Sequence, residues 1–232
     1  NKEKYEKLFE KYQFLYHYEK LDFNFSKMCN IGAKLAKGDY YLFVNDDTEV
    51  LQSEWLERML GQASQKHTGA VGAKLYYPNS LIIQHDGILN LRHGPSHVLM
   101  NHDDSKLYYY CNNRMDYNYI AVTGACLMIN KEKFDEVNGF DEKLPVAYND
   151  VDLCFKLYEK GYYNVVRNDV KLYHYESLSR GIDTINREKI DRLRQEKTYL
   201  YLKHSDFVGH DPFYNSNLDQ TTIDFKIDIK EN

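Results

Sequence analysis

The sequence predicts an α/β domain. Helical and strand patterns alternate through its first third, and a short apolar run at 40–44 is bounded by turn residues. In addition, 43% of its 232 residues are hydrophobic, enough for a sizeable core.

Each element follows from local pattern. Tyr5, Leu8, Phe9 and Tyr12 recur at helical spacing among charges, and 13–18 alternates like a short strand. Asn24 or Ser26 caps a helix through Met28, Ile31 and Leu35 that stops at Gly38. The 40–44 run reads as a buried parallel strand, and Ser53 caps a helix with Trp55, Leu56, Met59 and Leu60 on one face. A strand at 70–76 ends in a Pro78-Asn79 turn. This alternation predicts a parallel sheet with helices on its faces.

The middle is less regular. Residues 81–91 read as a strand, and 92–117, rich in His, Asn, Asp and Tyr, as a long loop of the kind that is functional or mobile. An apolar strand at 120–129 is interrupted by Thr123-Gly124. Helices follow at 131–137 and 150–160, then short strands at 165–166 and 170–175, an amphipathic charged helix at 185–203 and a polar tail. With no repeat, low-complexity tract or linker, one domain over 1–232 is expected.

Several function classes are excluded. No run of about 18 apolar residues spans a membrane. A net charge of −5 with mixed signs argues against nucleic acid as the main partner. Cys29, Cys111, Cys126 and Cys154 form no CxxC unit, so free thiols in a reducing compartment are expected and a zinc site is not. The opening residues form neither a signal nor a transit peptide and include no starting Met, so the chain is expected to be an excised piece.

Three places carry candidate chemistry. Asp46 and Asp47 follow the 40–44 strand, where ligands bind in open α/β sheets, and adjacent carboxylates call for a cation such as Mg²⁺ or Mn²⁺. On the pair alone a solvated turn is favoured; the strand before it shifts the balance to function. Asp150 opens a helix, either as a cap or as an acceptor of a hydroxyl proton. His174 leaves a strand and is either a metal ligand or a packed residue, and Arg180-Gly181 suits a phosphate. Eight other histidines counsel restraint.

Taken in order, these blocks resemble family 2 glycosyltransferases with the GT-A fold. The match rests on Phe25-Ser26-x3-Asn30-x-Gly32, the 38–47 block ending in Asp46-Asp47, Trp55-Leu56, and the 122–128 segment around Gly124. Gly139-Phe140-Asp141-Glu142, Asn149-Asp150-Val151-Asp152, the 174–181 block and Asp211-Pro212-Phe213-Tyr214-Asn215 complete it. The resemblance implies a GT-A-like (Rossmann-like) mixed sheet flanked by helices. It also implies inverting, metal-dependent transfer of a sugar from a nucleotide-diphosphate donor to a hydroxyl of a glycan or lipid-linked glycan. Rhamnose and galactofuranose are the implied donor sugars.

By that resemblance Asp47 is the direct ligand of Mn²⁺ or Mg²⁺, Asp46 contacts ribose or metal-bound water, and His174 completes the metal site. Asp150 is the catalytic base, with Asn149 where relatives carry Glu. Asn30, Gly124, Asn149 and Arg180 are implied substrate contacts, Arg180 near the diphosphate. For Gly124, close strand packing is an equal alternative. The implied halves are 1–76 for the nucleotide sugar and 77–182 for the acceptor, with 183–232 a C-terminal helix and tail.

The family opens with two strands, the first with a Pro-Thr-x-Asn-like end and the second ending in Asp, that grip base and ribose. Neither is found here. The expected sheet is therefore N-terminally truncated, without its first βαβ unit, and the activity expected of the chain as given is weak or absent. The implied location is cytoplasmic, at the inner face of the membrane. The 185–203 helix is expected to pack on its own domain, with docking to a membrane surface as the other reading. Two other functions compete with this one: a non-catalytic carbohydrate-binding or scaffolding domain, and a metal-dependent phosphohydrolase, for which the sequence lacks a second ligand cluster.

Overall fold

The computed structural model describes residues 2–175 and 187–228. In chain order come α1 (Lys2–Tyr12), α2 (Phe25–Leu35), β1 (Tyr40–Val44), β2 (Thr48–Val50), α3 (Trp55–Ala63) and β3 (Thr68–Tyr76). The middle holds β4 (Ile83–His85), β5 (Ile88–Leu91), β6 (Gly94–His97), a 3-10 segment at Tyr109–Arg114 and β7 (Tyr117–Tyr119). Then come β8 (Cys126–Asn130), α4 (Lys131–Glu136), α5 (Asn149–Glu159), β9 (Tyr163–His174), α6 (Arg187–Lys203) and a 3-10 turn at Ser205–Phe207.

The fold is a mixed sheet between helical layers. Its spine runs β1-β8-β3-β9-β2, with β4 added to β3 and β7 to β9, while β5 and β6 pair separately. Only β3 and β9 run parallel among the paired strands. The parallel sheet read from the alternation of the first third is therefore corrected, while the mixed sheet flanked by helices that the resemblance implies is the one formed. β1 and β3 share a direction, but β8 lies between them, antiparallel to both. β1 is thus an edge strand, only partly buried. Local alternation of helix and strand reports direction; it is blind to a strand inserted from about 80 residues further on.

The pleat sorts the core. Val71, Ala73 and Leu75 on β3 face Met59 and Ala63 of α3, with Cys126 and Met128 of β8 beside them. Ala70 and Tyr76 face the larger opposite cluster, with Leu127, Ile129, Val151 and Phe155. Between them on that side of β3, Lys74 is fully buried, and its Nζ lies 3.1 Å from Asp104 and 3.4 Å from Asp86.

Other expectations are corrected for stated reasons. Residues 13–18 form no strand; Gln13 turns at φ 55 and Phe14 and Leu15 stand exposed. Tyr5, Leu8 and Tyr12 of α1 are exposed as well. Asn24 caps α2 by accepting the Lys27 N–H at 2.9 Å, whereas the Ser26 hydroxyl donates to the Leu144 carbonyl at 2.7 Å. Ser53 does not cap α3, which starts after Glu54.

The 81–91 stretch is two strands. It breaks at Gly87, whose φ of +110° and the 2.1 Å from a would-be Cβ to the Tyr119 ring admit only glycine. The 92–117 segment is pinned rather than loose: Asp104 within it takes bonds from Lys74, Tyr76, Asn113 and Arg114. Residues 165–166 and 170–174 belong to one strand with a register shift against β3.

α6 packs on its own domain. Leu200 is buried, and Tyr199 and Lys203 both donate to Asp141, at 3.0 and 2.8 Å. Among the described residues no helix is long and apolar enough to cross a membrane. All four cysteines are free.

Asp152 ties α5 to α6. Burial opposes its ionisation, yet His204 at 2.9 Å, Lys156 at 3.0 Å and Lys203 at 2.7 Å outweigh it and bring its carboxyl down to about 2. A carboxylate lowered in the folded state stabilises above its unfolded pKa of 3.8 and loses that contribution as pH falls toward about 2. Denaturant titrations at pH 5 and pH 2 should show Asp152→Asn with an acid loss of stability smaller than the parent's by about 2 kcal/mol.

Candidate active site

Asp46 and Asp47 form the turn between β1 and β2. The turn is fixed from three sides. The Thr48 hydroxyl donates to the Asn45 carbonyl at 2.9 Å, the Asn45 N–H donates to Ala125 at 2.9 Å, and the Asp47 carbonyl accepts the Tyr175 N–H at 2.8 Å. Pairing of β2 with β9 sets Thr48 opposite His174. Sheet register thereby places Asp47 Oδ1 3.2 Å from His174 Nε2.

The polarity of that contact is informative. His174 Nδ1 lies 2.7 Å from Gln84 Oε1, while Gln84 Nε2 donates to the His174 carbonyl at 3.4 Å. Gln84 thus accepts from Nδ1, which carries the proton, and leaves Nε2 with a lone pair. Asn45 Nδ2 stands 3.4 Å from Nε2, as a donor to that lone pair would. Asp47 Oδ1 is a buried oxygen with no hydrogen-bond donor. In the neutral ring Nε2 and Asp47 Oδ1 face each other at 3.2 Å as two acceptors, an arrangement that a cation between them would satisfy.

A divalent cation suits this pair. Adjacent ligands of an octahedral Mg²⁺ or Mn²⁺, each at about 2.1 Å, stand about 3 Å apart. Among the described residues no group of three His, Cys, Asp or Glu side chains converges. One nitrogen and one oxygen leave most of the coordination shell to phosphate oxygens and water, the usual arrangement for such ions.

Asp150 lines the same cleft, whose volume is 1080 Å³, together with Asp46, Asp47 and His174. Its Oδ2 accepts the Gly124 N–H at 2.9 Å and its Oδ1 the Val151 N–H at 2.8 Å. Each oxygen retains a further lone pair for a hydroxyl proton. Asn149 is buried; its Oδ1 accepts the Asp150 N–H at 2.8 Å and its amide donates to Leu144 at 3.4 Å. The preceding Tyr148 holds a left-handed φ of 57°, an unusual backbone for an aromatic residue. Glu196 on α6 steadies this approach by accepting the Ala147 N–H at 2.5 Å.

Other expected site residues fare differently. Asp46 is exposed in the cleft. A Cβ on Gly124 would meet the Phe25 ring at 3.3 Å and the Asp150 Cβ at 3.6 Å, so close packing is one reason for glycine there. Asn30 does not reach this cleft and is corrected. Its side chain donates to the Phe140 carbonyl at 2.9 Å and accepts the Phe140 N–H at 3.0 Å, stapling α2 to the 138–142 turn beside a second hollow. Arg180 lies outside the described residues.

Pattern reading passed over Gln84, His85 and His97, all of which line the cleft. The signal was a Gln-His pair ending the apolar run Leu81-Ile82-Ile83, polar residues that burial obliges to find partners.

The chain is 40% identical over 205 residues to the uncharacterized protein y4gI of Sinorhizobium fredii, a match covering 88% of this chain and 22% of that one. It is 31% identical over 218 residues to the O-antigen biosynthesis protein RfbC of Myxococcus xanthus, covering 87% and 16%. The chain thus spans about a fifth of these relatives' length. In fold it resembles GalNAc-T7, solved with UDP, GalNAc and Mn²⁺, at a TM-score of 0.60 and 14% identity, over 93% of this chain and 44% of that one. Residues 2–137 match the family described as Glycosyl transferase family 2, more than half of the sequence, and the chain belongs to that family.

Proposed function

We propose that the cleft catalyses inverting transfer of a sugar from a nucleotide-diphosphate donor to a hydroxyl of a glycan or lipid-linked glycan. The observation that carries this is the facing pair Asp47 Oδ1 and His174 Nε2, 3.2 Å apart in the same cleft as Asp150. Membership of the family and the O-antigen biosynthesis relative support the reading.

In this mechanism Asp47 and His174 would hold Mn²⁺ or Mg²⁺, which would offset the charge gathering on the departing diphosphate. Asp150 takes the proton of the acceptor hydroxyl as its oxygen attacks the anomeric carbon. The bond from that carbon to the diphosphate breaks on the opposite face, which inverts its configuration. Gln84 holds the His174 ring in the tautomer that presents Nε2. Arg180 belongs beside the diphosphate in this reading, and Asp46 beside the ribose or a metal-bound water. The outer edge of β1 borders the cleft, and a parallel strand added there would complete a base-binding half.

Mn²⁺ binding followed by electron paramagnetic resonance separates the roles. Asp47→Ala and Gln84→Leu should each weaken Mn²⁺ by about tenfold or more, and Asp150→Asn should leave it unchanged. Turnover, read as nucleoside diphosphate released in the presence of acceptor across a nucleotide-sugar panel, should fall about 100-fold or more in Asp150→Asn. It should vanish in EDTA and return with Mn²⁺. Unchanged turnover in both Asp47→Ala and Asp150→Asn would sink the assignment.

A further inference from the structure

We infer that His97, fixed by His85, is a hydrogen-bond donor to a sugar oxygen in the cleft that Asp150 lines. The inference rests on the glycosyl-transfer reading above and assigns one of its substrate contacts.

The argument begins with protons. His85 is 1% exposed, and its Nε2 accepts two backbone N–H groups, from Gly87 at 3.3 Å and Thr123 at 3.4 Å. A nitrogen that accepts carries no proton, so His85 is neutral and protonated at Nδ1. Burial, with His97 and His174 nearby, holds its pKa well below the usual imidazole range, in keeping with that form. The His85 Nδ1–H then points at His97 Nδ1, 2.8 Å away. His97 Nδ1 must accept, which sends the proton of His97 to its Nε2. A second proton on His97 would set two N–H groups against each other. The lock thus makes His97 an uncharged donor of fixed sense.

Position gives that donor its use. His97 ends β6, opposite Ile88 of β5, and the Val98 N–H donates to the Gly87 carbonyl at 2.9 Å, so the hairpin carries the ring on a rigid support. Successive amides join the two histidines to the base: the Thr123 N–H reaches His85 and the Gly124 N–H reaches Asp150. The cleft is rich in acceptors, with Asp46, Asp47 and Asp150 on its walls. A sugar presents hydroxyls that each both donate and accept. Carboxylates satisfy the donated protons, and a neutral N–H serves an oxygen without drawing the carboxylates into an ion pair.

Two measurements on the full-length protein test this. Nitrogen-15 NMR of labelled histidines at pH 7 should show His85 protonated at Nδ1 and His97 at Nε2; the reverse tautomer in either ring overturns the inference. With the nucleotide sugar and acceptor selected by the turnover screen, His97→Leu should raise the KM of one sugar substrate about tenfold with little change in kcat. His97→Gln, which keeps a side-chain N–H, should stay within about threefold of the parent, and Mn²⁺ affinity should be unchanged in both variants. An unaltered KM in His97→Leu, or equal losses in Leu and Gln, overturns the sugar contact while the glycosyl-transfer reading stands. A parent protein without turnover on any donor overturns that reading and the contact with it, whatever the tautomers.

Discussion

The parallel pairing of β3 with β9 is the constraint on which the rest depends. These strands lie about 90 residues apart in sequence and join along nearly their whole length, from Thr68 opposite Tyr163 to Tyr76 opposite Tyr173. A parallel neighbour needs a crossover, and the chain between them supplies one that includes β8 and α5. Once β9 is set, its last residue, His174, is set too. β2 pairs with that end and carries Asp47 to it, and α5, packed against the sheet, begins at the cleft with Asp150. The candidate metal ligands and the candidate base thus come from three separate stretches, gathered by the β3–β9 and β2–β9 pairings and by the packing of α5 on those strands.

The second constraint is polar. Lys74 points from the central strand into the interior, where Asp86 and Asp104 meet it and the Asn113 carbonyl accepts from it at 2.6 Å. Two carboxylates and one ammonium away from water are costly unless their geometry is good. Burial pushes the Asp86 carboxyl up to about 7 despite Lys74 beside it. This cluster fastens the whole 83–114 region to the sheet. That region in turn carries Gln84, which orients His174, and the His85–His97 pair. Gln84 and the His85–His97 pair thus stand on a region held by a buried ionic cluster, while sheet register sets Asp47 against His174.

Legibility in the sequence followed the range of the interaction. Helices with clear caps and breakers lay within a few residues of expectation: α2 with Asn24, α4 ended before Asn138-Gly139, and α5 closed by Gly161 at φ +85°. The order of family blocks singled out Asp47, Asp150 and His174, which the fold brings to one cleft. Asn30, taken from the same blocks, is a staple for the 138–142 turn, because its amide is matched to one backbone unit at Phe140. Gln84 and His97 were not legible, since nothing near either in sequence says which ring or carbonyl it will meet.

By itself, then, the sequence determined where most of the helices and the longer strands lie, that the core is large, and which carboxylates stand at strand and helix ends. Those properties depend on side-chain period, capping and chain stiffness, all local. Only the tertiary structure decided that β8 separates β1 from β3, that β1 is an edge strand, and that Asp47 meets His174. It alone decided that two histidines lock each other's protons. Such facts depend on which distant backbones share a ladder, and that choice is made by the packing of the whole core.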